Sequence, residues 1–108
     1  MAALDQRALD ALGNPVRREI MQLIADRPRP VGEIADLLPV SRPAVSKHLR
    51  ILQEAELVRS ETQGTRHVFH LKRDGFQRAT HWLDAFWDEA LSRFALVAEN
   101  TTPRKPKA

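Results

Sequence analysis

Residues 31–58 read VGEIADLLPVSRPAVSKHLRILQEAELV. Apolar residues at helical spacing predict a short helix over residues 31–38, and Pro39 ends it. Ser41 is a suitable N-cap for a second helix that reaches about Ala55. Because so few residues separate the two helices, the stretch predicts a helix-turn-helix motif.

The second helix is amphipathic. At 100° per residue, Val45, Leu49 and Leu52 fall within an arc of about 60° and form a stripe that faces the core. Arg42 lies at the N-terminal tip, and no acidic residue occurs before Glu54. The side opposite the stripe carries small, hydroxyl and cationic side chains: Pro43, Ser46, Lys47 and Arg50. This face suits the major groove of DNA, although the helix alone leaves a merely solvated polar face as the alternative.

The polar face offers defined chemistry to a duplex. Arg42 or Lys47 can pair with O6 and N7 of guanine, and Ser46 can hydrogen-bond to a base or a phosphate. Arg50 lies further along the helix, where a contact with the phosphate backbone is expected. The N–H groups of the helix N-terminus also suit a phosphate.

A β-hairpin is predicted after this helix. Residues 57–62 and 66–71 are strand-like runs on either side of Gln63-Gly64-Thr65. Arg59 lies on the first strand and Arg66 lies beside the turn, where cations can contact phosphates or the minor groove. The hairpin therefore favours DNA binding over a solvated face for the preceding helix.

Two further helices are predicted upstream. The first covers Ala3–Leu12 and ends at Gly13. Asn14 and Pro15 then begin the second as its cap and first helical residue. Its apolar residues form one stripe: Val16, Ile20, Leu23 and Ile24.

The last predicted helix is unusually apolar. Asp74 and Gln77 are spaced for a capping box at its start. Its apolar stripe is formed by Phe76, Ala79, Leu83, Phe86, Trp87, Ala90, Phe94 and Val97. Since a 108-residue monomer does not bury such a stripe easily, it indicates either a dimer interface or a small-ligand pocket between subunits. The interface is favoured, because a palindromic site needs two recognition helices about one DNA turn apart.

The expected fold is mainly α with a small β-hairpin, a winged helix-turn-helix of order α-α-α-α-β-β-α. Residues 1–100 are expected to form one DNA-binding and dimerisation domain. Residues 101–108 hold two prolines and three cations, so a basic, disordered tail is expected there. Such a tail would add non-specific phosphate contacts.

Composition narrows the class of protein. The 108 residues include 17 Lys+Arg and 14 Asp+Glu, a net charge of +3, and no Cys, which excludes disulfides and thiolate metal sites. Residues 40–73 hold seven basic and three acidic residues, as expected of a nucleic-acid binder. No apolar run reaches the roughly 18 residues of a membrane span. A cytoplasmic, nucleoid-associated protein with no membrane partner is expected.

Three stretches carry a family resemblance: LGNPVRREIMQLI, the stretch quoted first, and GTRHVFHL. Together they resemble the ArsR/SmtB (arsenic-repressor) family of winged-helix transcription factors over about residues 4–97. The resemblance implies a bacterial or archaeal homodimer that is joined through its first and last helices and represses by covering operator DNA. It also implies five DNA-facing residues: Arg42, Ser46, Lys47, His48 and Arg66.

The chain departs from metal-sensing members of that family. VGEIADLL stands where those members carry a Cys-x-Cys motif. His81 and Asp84 lie at i, i+3 on the last helix, but two candidate ligands do not make a site, and a solvated surface is expected. His67 and His70 are three residues apart on a strand and point to opposite faces. No metal and no cofactor are expected, and any small-molecule inducer is unidentified.

The predicted function is sequence-specific transcriptional regulation by a dimeric repressor, with residues 41–54 in the major groove of an inverted-repeat operator and the wing at 57–71 on its flank. The expected DNA-binding residues are Ser41, Arg42, Pro43, Ser46, Lys47, His48, Arg50, Arg59, Gly64, Thr65 and Arg66. The expected dimer-interface residues are Leu4, Leu9, Leu83, Phe86, Trp87 and Phe94. The alternatives are a winged-helix protein-interaction module and a regulator with a small molecule at the dimer interface. Catalysis is not expected, because no Gly-rich oxyanion or phosphate loop accompanies the serines near His48.

Overall fold

The computed structural model describes the backbone of residues 2–101 and the side chains of residues 6–98. The elements follow the order α1 (Ala2–Leu12), α2 (Pro15–Asp26), β1 (Arg29–Pro30), α3 (Val31–Asp36), α4 (Arg42–Glu54), β2 (Val58–Gln63), β3 (Arg66–Leu71) and α5 (Arg73–Thr101). The mainly helical, winged helix-turn-helix fold predicted from the sequence is confirmed. Within residues 2–101, no helix combines the length and the hydropathy that crossing a membrane requires.

The core lies where α2, α3 and α4 meet the sheet. Its largest fully buried side chains are Ile20, Ile34, Leu49, Leu52, Leu57, Val45 and Val58. The three apolar residues predicted to face inward from α4 are all among them. Burying each of these side chains contributes on the order of 1.5–3 kcal/mol, so α4 is held firmly by its apolar side while its polar side remains exposed.

Side-chain caps fix where two of the helices begin. The Asn14 side-chain oxygen accepts a hydrogen bond from Arg17 N at 3.0 Å. The Ser41 hydroxyl accepts one from Ala44 N at 3.2 Å. Both N-caps were predicted from the sequence and are confirmed. The Ser41 cap places the start of α4 directly after the turn of the helix-turn-helix motif.

The sheet has a third strand that the sequence pattern did not predict. Its order is β1-β3-β2, all antiparallel, with Arg29 opposite Phe69 and Pro30 opposite Val68. Arg29 is buried, and its guanidinium donates to Leu23 O at 2.9 Å and pairs with Asp26 and Glu33. A two-residue strand has no alternating pattern, and the neighbouring prolines indicated only a break in the chain.

Several element boundaries differ from the expected ones by one or two residues. Helix α3 ends at Asp36 rather than residue 38, because the chain tightens into i→i+3 bonds before Pro39. Helix α5 begins at Arg73, so Asp74 lies in its first turn and does not form the predicted capping box. The hairpin turn holds two residues instead of three, since Gln63 pairs with Arg66 across the strands. Helix α5 includes Thr101, which the sequence assigns to the tail; residues 102–108 lie outside the described part.

The start of α5 approaches the end of α4 very closely. Gly75 N donates a hydrogen bond to Glu56 O at 2.7 Å. A Cβ atom on Gly75 would lie 2.4 Å from Ala55 O and 2.8 Å from Glu56 O, which is closer than real Cβ contacts. Glycine is therefore required for this contact between the two helices.

Most of the long helix α5 is not part of the core. Ala79 is buried, but the large apolar residues that follow it are exposed, including Phe94 at 71%. The aromatic stripe, defined here as Leu83, Phe86, Trp87 and Phe94, covers an arc of about 100° of the helix. The Trp82 ring stacks on Phe86 with centroids 5.4 Å apart. Helix α1 packs beside α5.

Candidate nucleic-acid interface

The polar side of α4 is exposed as the sequence predicted. On the opposite, apolar side of α4, Val45, Leu49 and Leu52 are buried. The residues expected to meet DNA are exposed: Ser41, Arg42, Pro43, Ser46, Lys47 and Arg50. The fold thus presents a hydroxyl and three cations along one side of a helix whose other side is fixed in the core. We call Arg42, Lys47, Arg50 and the wing residue Arg66 the cationic face.

A groove of about 510 Å³ connects the start of α4 with the tip of the wing. It is lined by Pro30, Val31, Gly32, Glu33, Asp36, Arg42, Thr65, Arg66 and His67. The Arg42 guanidinium lies over Gly32, 3.5 Å from the place where a Cβ on that glycine would be. Arg42 and Arg66 therefore border the same groove from two different elements, where a DNA backbone could contact both.

The negative charge of one acidic residue in this groove, Glu33, is balanced by ion pairs with arginines. Glu33 pairs with the guanidinium groups of Arg27 and Arg29. Arg29 is itself buried and held by Leu23 O and Asp26. Since these partners neutralise the Glu33 carboxylate, it repels a phosphate in the groove much less than a free carboxylate would.

The predicted DNA-contacting residues of the wing lie in two places, the tip of the hairpin and its base. Gly64 has φ of 64°, the left-handed conformation that a two-residue hairpin turn needs at its first position. Thr65 and Arg66 are exposed beside it at the tip. Arg59 lies near the base, opposite His70, and contacts Glu61 at 3.3 Å. This pair is about half-exposed, so breaking it to contact DNA costs little, about 1 kcal/mol or less.

His48 is the one predicted DNA-contacting residue of α4 that is half-buried. Its Nδ1 atom lies 3.4 Å from a guanidinium nitrogen of Arg17. Arg17 also donates to Ala11 O at 2.9 Å and to Asp10 O at 3.3 Å, at the end of α1. Arg17 therefore joins α1, α2 and α4, a role that no spacing in the sequence indicated.

The surroundings of His48 lower its pKa from the ordinary value of 6.5. Burial of the ring contributes most, followed by the charges of Arg17 and Lys47. The imidazole is therefore neutral at pH 7. Because the folded pKa lies below the unfolded one, protonation favours the unfolded chain. This residue's contribution to the free energy of unfolding is therefore retained above pH 6.5 and falls as the pH drops from there towards the folded pKa.

Titration of His48 by NMR is expected to give a midpoint below 6.5. Arg17→Gln should raise that midpoint, because it removes a nearby positive charge. Arg18→Gln is the matched control, since Arg18 is the next arginine of α2 and donates to Leu12 O at 2.8 Å rather than to His48. Equal midpoints in the wild type and Arg17→Gln would contradict this account.

The remaining predicted residues lie away from the cationic face. Leu9 is half-buried on α1, and the side chain of Leu4 lies outside the described residues. His81 and Asp84 border a shallow depression on α5 together with Arg73. Among residues whose side chains are described, no three His, Cys, Asp or Glu residues cluster in a way that could hold a metal ion.

Comparison with known proteins adds to this geometry. A helix-turn-helix domain family matches residues 12–61. The HTH-type transcriptional regulator Rv2034 of Mycobacterium tuberculosis is 44% identical over 94 residues, which are 87% of this chain and 88% of that protein. The transcriptional repressor SdpR of Bacillus subtilis is 30% identical over 73 residues, 68% of this chain and 81% of its own.

A solved structure shows the same architecture. It is the homodimeric winged helix-turn-helix DNA-binding domain of a possible ArsR-family regulator from Mycobacterium bovis. The two chains are 26% identical, the match covers 85% of each, and the TM-score is 0.66.

The fold, the cationic face and these relatives together define a DNA-binding transcriptional regulator of the winged helix-turn-helix class. Within that class, the chain belongs to the ArsR/SmtB family. The members of this family are transcriptional regulators rather than enzymes.

Proposed function

We propose that the protein is a homodimeric repressor. Each protomer inserts α4 into the major groove of one half-site of an inverted-repeat operator, and the β2–β3 wing contacts the flanking backbone. The dimer covers the operator and blocks the polymerase, in the cytoplasm and on nucleoid DNA. The observation that carries the proposal is that one small chain exposes both the cationic face and the aromatic stripe.

The cationic face supports the DNA-binding half of the proposal. Lys47 and Arg50 are one turn apart on the exposed side of α4, while Arg42 and Arg66 border the groove beside it. In this arrangement the N-terminal half of α4 reaches base edges, and the cations around it contact phosphates on either side. The phosphate contacts fix the register of the protein on the duplex, and the base contacts give the protein its sequence preference.

The aromatic stripe supports the homodimer. Phe86, Trp87 and Phe94 are each more than half exposed, although large aromatic side chains are the usual anchors of protein interfaces. Helix α1 lies beside α5 and would extend the same interface, as the predicted residues Leu4 and Leu9 require. Two-fold symmetry would then present two recognition helices to an inverted repeat.

Repression rather than activation is supported by the relatives. SdpR is named as a repressor, and the M. bovis domain is a homodimer. A dimer that covers an operator needs no further surface to exclude the polymerase. We also retain the division into a domain at residues 1–100 and a basic tail, whose three cations would add non-specific phosphate contacts.

The test is a fluorescence-anisotropy titration of the protein with its own upstream DNA, a shuffled control and a site selected from random sequence, at two salt concentrations. A specific site should bind at least about 10³-fold more tightly than the shuffled DNA, and its affinity should fall steeply with salt. If even the selected site binds no better than the shuffled DNA, the proposal is wrong.

The dimer makes a separate prediction. Phe94→Glu should weaken self-association by at least about 100-fold, because it places an unpaired carboxylate in an apolar interface. Folding should be unaffected, since Phe94 is 71% exposed in the protomer. Sedimentation velocity over a range of concentrations measures the change.

Leu96→Glu is the matched control for that variant. Leu96 is also exposed on α5, but it lies about 160° around the helix from Phe94. Leu96→Glu should therefore sediment as the wild-type dimer. A Phe94→Glu protein that dimerises as tightly as Leu96→Glu would exclude the aromatic stripe from the interface.

A ligand-responsive regulator is the second candidate, and one observation favours it. Trp87, Ala90, Leu91 and Phe94 line an apolar depression of about 340 Å³ on α5. In a dimer this depression would lie at the interface, where an apolar small molecule could bind between the subunits. Saturating the dimer with such a molecule would then change operator affinity, whereas a depression filled by the partner helix would bind none.

A further inference from the structure

Glu56 has a backbone conformation that its side chain does not favour. It follows the α4 C-cap residue Ala55 with φ of 59°, in the left-handed region. Glycine is the usual residue at this position after a helix, because an L side chain is strained there. The observed outlier therefore calls for a role for the carboxylate that glycine would not supply.

The carboxylate of Glu56 reaches across to the start of α5. Its Oε1 atom lies 3.0 Å from Arg78 Nη1 and 3.6 Å from Lys72 Nζ. All three side chains are partly buried. Arg78, and to a smaller degree Lys72, lower the pKa of Glu56, so the group is charged at neutral pH and attracts both cations.

Backbone hydrogen bonds reinforce the same connection. Gly75 N donates to Glu56 O at 2.7 Å, and Lys72 N donates to Leu57 O at 2.9 Å. The residues that end α4 are thus joined to the residues that begin α5 through both main chain and side chains. We call this set, Glu56, Lys72, Gly75 and Arg78, the α4–α5 joint.

The joint lies between the two surfaces on which the proposed function depends. Helix α5 carries the aromatic stripe, and α4 carries most of the cationic face. From Glu56 to Arg42 the helix is roughly 20 Å long, so a rotation of about 10° at the joint moves its DNA-reading end by roughly 3.5 Å, about the rise of one base pair. A small loosening of the joint therefore alters which spacing of half-sites a dimer can match.

We infer that Glu56 is a positioning residue that fixes the direction of α4 relative to α5 and thereby sets the half-site spacing that the dimer selects; this inference rests on the proposed homodimeric function. Glu56 touches no DNA in this account. It acts through Arg78 and Lys72, which hold the end of the recognition helix against the dimerisation helix.

Glu56→Gly distinguishes this role from a merely structural one. The substitution removes the carboxylate but also removes the backbone strain, so the variant should fold about as stably as the wild type. Glu56→Gln is the second variant, because it keeps the side-chain length and removes only the charge. Glu54→Gln is the matched control: it removes an exposed carboxylate two residues earlier, on the last turn of α4.

The experiment measures affinity for a series of operators. An operator isolated by selection from random DNA is lengthened or shortened by one and two base pairs between its half-sites. For the wild type and Glu54→Gln, a two-base-pair change should reduce operator affinity by about 100-fold or more, because it rotates one half-site by roughly 70° relative to the other. For the same two-base-pair change, the operator affinity of Glu56→Gly and Glu56→Gln should fall only about tenfold. The thermal unfolding midpoints of both variants should stay close to that of the wild type.

The outcomes separate this inference from the proposal beneath it. If the wild type is a specific dimer with a steep spacing profile and both Glu56 variants keep that profile, the inference is overturned and the proposed function stands. If the wild type is monomeric or indifferent to spacing, the proposed function fails and the inference fails with it. A flattened profile in both Glu56 variants, with Glu54→Gln unchanged, supports the inference.

Discussion

Lys47→Glu is expected to weaken operator binding by about 10³-fold at physiological salt. The substitution removes a charge-assisted contact and also places a carboxylate beside the phosphates. Each effect costs about 2 kcal/mol of binding free energy, and the sum of about 4 kcal/mol corresponds to a factor of about 10³ in affinity. Because Lys47 is exposed on α4, the fold itself should be unaffected.

The measurement is an anisotropy titration at several salt concentrations. If Lys47 contacts a phosphate rather than guanine, its loss reduces the magnitude of the salt slope by about 0.9. Arg73→Glu is the control with the same change in charge. Arg73 begins α5 next to the end of β3, at the opposite end of the wing from its tip. The operator affinity of the Arg73→Glu variant should stay within about threefold of that of the wild type.

The same pair of variants tests the protein-interaction module. If Lys47→Glu and Arg73→Glu bind DNA equally well, then only net charge matters, and the exposed side of α4 does not read the duplex. The cationic face would then serve another partner. A large difference between the two variants assigns the face to DNA.

Gly75→Ala is expected to lower the free energy of unfolding by about 3 kcal/mol or more. The added Cβ would lie 2.4 Å from Ala55 O and 2.8 Å from Glu56 O, and both atoms belong to the main chain. No change of rotamer relieves such an overlap, so the end of α4 or the start of α5 must move. For a domain of this size the thermal midpoint should fall by at least roughly 10 °C.

Two other glycines provide controls for that unfolding experiment. A Cβ on Gly32 would lie 3.5 Å from the flexible Arg42 guanidinium, so Gly32→Ala should be neutral or stabilise by up to about 1 kcal/mol. Gly64→Ala meets no atom within 4 Å, but its φ of +64° costs about 1–2 kcal/mol. A thermal midpoint for Gly75→Ala equal to that of Gly32→Ala would show that the two helices are not in close contact.

The recognition helix could be predicted because its determinants are local. Ser41 caps it, and Val45, Leu49 and Leu52 repeat at the period of a helix, so its polar side follows from geometry alone. The aromatic stripe was recognised in the same way, as apolar residues without enough core to cover them. What covers the stripe cannot be read from periodicity, because that depends on a second molecule.

The parts that sequence reasoning missed depend on contacts between distant residues. Strand β1 is two residues long and exists only because β3 lies beside it. Arg17 acts on His48, 31 positions away, and nothing in its neighbours distinguishes it from Arg18. The closeness of Gly75 to Ala55 likewise appears only after α4 and α5 are placed together.

The short strand β1 has a consequence for the operator. Pro30 both ends β1 and caps α3, while β1 pairs with β3, which is the central strand of the sheet and one of the two wing strands. Strand β1 thus ties the wing to the helix-turn-helix, and we expect the DNA rather than the protein to bend when both contact the duplex. Steps that kink or narrow a groove at low cost, such as pyrimidine–purine steps, are favoured between the two contacts. We therefore expect the operator to show sequence preference at base pairs that no side chain reaches.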